Sequence, residues 1–64
     1  MTQKELLYME DAIGHESSII KIIENSINNL KNEDLISFMN EELQKHKNTK
    51  QSLINIMEEI SNGW

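Results

Sequence analysis

Two apolar stripes at helical spacing, joined by one short polar break, confine this chain to a helical hairpin. The first stripe runs Leu6, Met9, Ile13, Glu16, Ile20, Ile23, Ile27 and Leu30. Steps of three and four residues keep side chains on one face of a helix. Ala12, Ile19 and Ile22 lie beside it, and a stripe that wide suits a helix touching at least two neighbours. The second stripe runs Leu35, Phe38, Met39, Glu42, Leu43, His46, Leu53, Ile56, Met57 and Ile60. Between the two, Asn28-Asn29-Leu30-Lys31-Asn32-Glu33-Asp34 breaks the pattern. There is no proline, and the only glycines are Gly14 and Gly63, so helix is expected almost throughout.

The ends of the helices can be placed from capping chemistry. Thr2-Gln3-Lys4-Glu5 has the form of a capping box, which starts helix 1 at about residue 3. Helix 1 is expected over about 3–30. Its asparagines offer the left-handed conformation in which helices often end. Asn32 is a good N-cap, and Glu33 and Asp34 suit the positive end of the next helix. Helix 2 is expected over about 33–61, with Asn62-Gly63 as its C-cap. So short a turn makes the helices antiparallel. Gly14 lies within helix 1, either as tolerated looseness or as a point of close approach by a neighbouring helix or of a local bend beside Glu16.

Sixty-four residues make a single domain, 1–64, of a size that usually needs help to be stable. There is no cysteine, which removes disulfides and thiolate zinc sites. Unusually regular helix packing, a hard metal ion or self-association remain. The expected fold is therefore all-α: a long antiparallel helical hairpin that dimerises into a four-helix bundle. Its expected core is Leu6, Met9, Ile13, Ile20, Ile23 and Ile27 from helix 1, and Leu35, Phe38, Leu53, Ile56 and Ile60 from helix 2. A net charge of −5, with six lysines and no arginine, argues against a nucleic-acid partner. No apolar run reaches the ~20 residues of a membrane span, and the first residues lack a signal-peptide pattern. Catalysis by a nucleophile has no support. Ser17 and Ser18 lack a glycine-rich elbow, and no phosphate-cradling loop is present.

The polar residues inside the stripes carry the functional question. In a hairpin turning near 31–32, facing residues have numbers that add to about 63. Glu16 and His46, the central polar residues of their stripes, fit that register. Glu42 is four residues from His46 and shares its side of helix 2. Three readings are open: a structural carboxylate–imidazole pair that fixes register, a metal site built from Glu16, Glu42 and His46, or a hydrated pocket. His15 is expected at the surface, and Met9, Met39 and Met57 are expected as core filling. Trp64 is either a frayed tail or an aromatic anchor for a partner chain.

Helix 1, from Lys4-Glu5-Leu6-Leu7 through Glu10-Asp11-Ala12 to His15-Glu16, resembles the spore coat F family of endospore-forming bacteria. So do Leu35, Phe38, Leu43 and His46 of helix 2, and the Gly63-Trp64 ending. The likeness covers nearly the whole chain through short, degenerate motifs. It implies a ferritin-like helical hairpin that associates into a bundle. It also implies synthesis in the cytoplasm, a role in or around the spore coat with other coat proteins as partners, and no catalytic activity. The ferritin-like class further implies iron or manganese as the alternative cofactor. Glu16 then matches the glutamate of the first helix, and His46 matches the histidine of a Glu-x-x-His pair. That pair's glutamate falls at Leu43, so Glu42 has to substitute from the adjacent position.

Overall fold

A computed structural model describes residues 1–62, so the readings of Gly63 and Trp64 lie outside the described residues. Two helices make up the fold, α1 (Gln3–Asn29) and α2 (Glu33–Asn62), packed side by side as a hairpin 48 × 16 × 11 Å in extent. No helix is long and apolar enough to cross a membrane among the described residues.

The capping chemistry acts as the sequence implies. The Glu5 amide donates to Thr2 Oγ1 at 3.1 Å, and the Thr2 amide donates to Glu5 Oε1 at 2.9 Å. Donation from the Thr2 backbone, with the Thr2 side-chain bond, holds the Glu5 carboxyl below its usual range. A lowered folded value means that this contribution is present above the ordinary carboxylate range and is lost as pH falls through it. At the start of α2, the Leu35 amide donates to Asn32 Oδ1 at 3.1 Å. The Ile36 amide reaches the Asn32 carbonyl at 3.0 Å, so Asn32 is the N-cap.

The end of α1 differs from expectation. No residue other than glycine takes positive φ among the described residues. Instead Leu30 turns extended, with φ −89° and ψ 147°, and its amide donates to the Ile27 carbonyl at 3.3 Å. Asn29 bonds back into the helix rather than leaving it: its Nδ2 donates to the Asn25 carbonyl at 2.8 Å. The chain then reaches Asn32 without a left-handed step.

Gly14 is exposed, and a methyl group built on it meets open space. The other helix of the hairpin does not approach it.

Two helices can cover each other along only one line, and the burial pattern shows that limit. Ile23 is the one buried hydrophobic among the described residues, at 6% exposure. Leu6, Met9, Ile13, Ile20, Ile27 and Leu53 are half-buried. The remaining expected core residues, Leu35, Phe38, Ile56 and Ile60, are exposed. Phe38 and Ile56 lie on the flank of the α2 stripe, and Leu35 and Ile60 stand near the two ends of α2.

Two stability changes follow. Asn32→Ala should cost about 0.5–2 kcal/mol in urea unfolding, through loss of the cap. Gly14→Ala should gain about 0.5–1 kcal/mol, because alanine loses less backbone freedom and meets no obstruction.

Candidate functional site

Halfway along the seam, His46 Nδ1 lies 2.6 Å from Glu16 Oε2. When the carboxylate is ionised it can only accept, and the imidazole N–H is then the donor. Glu16 comes from the middle of α1 and His46 from the middle of α2, and the hairpin register brings them together from 30 positions apart. Their side chains are 17% and 29% exposed respectively. Each therefore keeps an edge toward solvent while its charged or polar atoms find a partner across the seam. No buried side-chain polar atom among the described residues lacks a partner.

Glu42 does not join the pair. Its Oε1 lies 3.5 Å from Lys45 Nζ, one turn along α2. No group of three or more histidine, cysteine, aspartate or glutamate side chains is placed to hold a metal ion among the described residues. One chain thus brings together two of the three residues in the metal reading, with the third engaged by a lysine. His15 is exposed, as expected of a surface histidine.

The second feature is an apolar face that the sequence only partly signalled. Tyr8 is 65% exposed, Ile22 64% and Phe38 56%, with Leu35, Ile56 and Ile60 also exposed. Turning each helix by about 100° per residue from the seam places Tyr8, Ile22, Phe38 and Ile56 on the same side of the hairpin, with Leu35 and Ile60 at its two ends. The placement is visible directly at one end. There a groove of about 460 Å³ is lined by Met1, Glu5, Tyr8, Met9, Ile56 and Ile60. The side opposite is more polar, with a smaller hollow bordered by Glu24, Asn28 and Asn40. The clue in the sequence was the width of the α1 stripe. Leu7 is also exposed but points away from this face, and a single exposed leucine needs no partner.

No known protein family, curated protein or solved structure matches the chain.

The pair can be tested apart from the face. His46→Ala leaves the Glu16 carboxylate half-buried without a donor, and should cost about 1–3 kcal/mol in urea unfolding. Replacing both, as Glu16→Leu with His46→Leu, should recover most of that loss, since an apolar pair needs no partner. A double variant as unstable as His46→Ala alone would show that the pair contributes more than mutual satisfaction.

Proposed function

We propose that this chain is a non-enzymatic structural and interaction module that associates with itself. Following the resemblance in its sequence, we place it in or around the spore coat, where it would dock on other coat proteins. The observation that carries self-association is Ile23, the single buried hydrophobic among the described residues, set against an exposed apolar face on the same small fold. A hairpin of this size with so little core is marginal alone. A second apolar surface would supply the missing burial at roughly 25 cal/mol per Å². The surface area agrees: a compact protein of 7.5 kDa exposes about 4,200 Å², whereas this chain exposes 5014 Å². The excess, several hundred Å², approaches the roughly 800 Å² that each partner gives to a standard interface.

In this reading Glu16 and His46 are a register device. A half-buried polar pair at a seam position costs some desolvation but penalises slipped packings, in which each group would lose its partner.

Sedimentation equilibrium with and without ferrous iron tests the proposal. A dimer under both conditions is the expected result. A monomer throughout would overturn self-association, and a dimer formed only with iron would favour the ferritin-like metal reading. Glu16→Gln should lower the melting temperature equally in chelator and in iron. A loss confined to iron would again point to metal.

A further inference from the structure

We infer that the partner on the apolar face is a second copy of this chain, laid antiparallel about a two-fold axis that passes near His15. This rests on the self-association proposed above and specifies its geometry. The residues that occupy the face at each height along the hairpin set this geometry. On α1 the face is stepped Tyr8, Ala12, His15, Ile19 and Ile22. On α2 it is stepped Phe38, Glu42, Lys45, Thr49, Ser52 and Ile56, with Leu35 and Ile60 at its two ends. The Glu16–His46 contact fixes the heights of the two helices against each other. Two apolar clusters then stand at the ends, Tyr8 with Ile56 and Ile60, and Ile22 with Phe38 and Leu35. Between them lies a belt containing His15, Thr49, Lys45 and Glu42.

Face-to-face packing of two copies has two symmetric solutions. With the two-fold axis crossing the hairpin, α1 lies on the partner's α1 and α2 on the partner's α2, and each end cluster covers the opposite one. Facing α1 residues then have numbers that add to about 30, and facing α2 residues numbers that add to about 94. Tyr8 meets Ile22 of the second copy, and Ile19 meets Ala12, large against small. On the other helix Phe38 meets Ile56 and Leu35 meets Ile60. In the belt, Lys45 meets Thr49, Glu42 meets Ser52, and His15 meets its own copy on the axis. No apolar residue of either cluster faces a charge.

With the axis running along the hairpin, α1 lies on the partner's α2 at equal height. The ends still match, Tyr8 on Ile56 and Ile22 on Phe38. The belt does not, because Ile19 falls on Glu42 and His15 between Lys45 and Thr49. Burying Glu42 against an isoleucine leaves a carboxylate half-desolvated beside apolar surface. The antiparallel solution avoids that cost and loses no apolar pairing.

Single-cysteine variants decide between the two, because the chain has no thiol of its own. His15→Cys alone should form a disulfide-linked dimer under mild oxidation. Tyr8→Cys and Ile22→Cys chains, refolded together with one carrying a mass tag, should form the mixed disulfide. So should Phe38→Cys with Ile56→Cys. Interchain linkage of Tyr8→Cys to Ile56→Cys, and of Ile22→Cys to Phe38→Cys, without the first set, would overturn the antiparallel register. Self-association would survive that result. A chain that sediments as a monomer and cross-links in neither pattern would overturn both.

Discussion

Two helices side by side bury one line of contact, and most of this molecule's behaviour follows from that geometric limit. Along the line Ile23 becomes buried and its neighbours half-buried. Away from it, side chains of the same amphipathic stripes remain in water. A stripe as wide as that of α1 has more apolar surface than one neighbour can cover. The excess collects on one side of the hairpin because the helices run antiparallel. The same rotational offset from the seam then points to the same side in both.

The Glu16–His46 contact sits in the middle of this line and has a different role from the apolar residues around it. Hydrophobic contacts along two isoleucine-rich helices tolerate a slip of one turn with little loss. A carboxylate and an imidazole at 2.6 Å do not. A slip of α1 against α2 would leave both groups half-buried without partners, at about 1–3 kcal/mol each. The pair therefore ties the heights of the two helices together. The arrangement of the exposed face, with its apolar ends and polar belt, depends on that tie.

Much of the fold was legible because it is set by local chemistry. Thr2 and Glu5 satisfy the orphan amides of α1, and Asn32 does so for α2, each through bonds spanning three residues. Such bonds need no knowledge of the rest of the chain. The meeting of Glu16 and His46 was legible for a related reason, since a short turn between two long helices leaves little freedom of register. The termination of α1 was less so. A run rich in asparagine permits a left-handed exit, but an extended Leu30 reaches the Asn32 cap without one. The place of Glu42 was also open, because spacing alone puts it on the side of His46 and says nothing of its pairing with Lys45.

The sequence by itself determined two helices, their caps, their antiparallel order and the level at which their central polar residues face each other. Periodicity and hydrogen-bond chemistry act within a few residues, and the turn length leaves little else. Only the tertiary structure decided which apolar residues are covered. Phe38 and Ile56 belong to the same stripe as Leu53, yet Leu53 packs into the seam while they stand in solvent. The difference is a rotation of some tens of degrees about the α2 axis. Hydrophobic pattern marks a residue as apolar-facing, but what it faces depends on where the neighbouring helix lies.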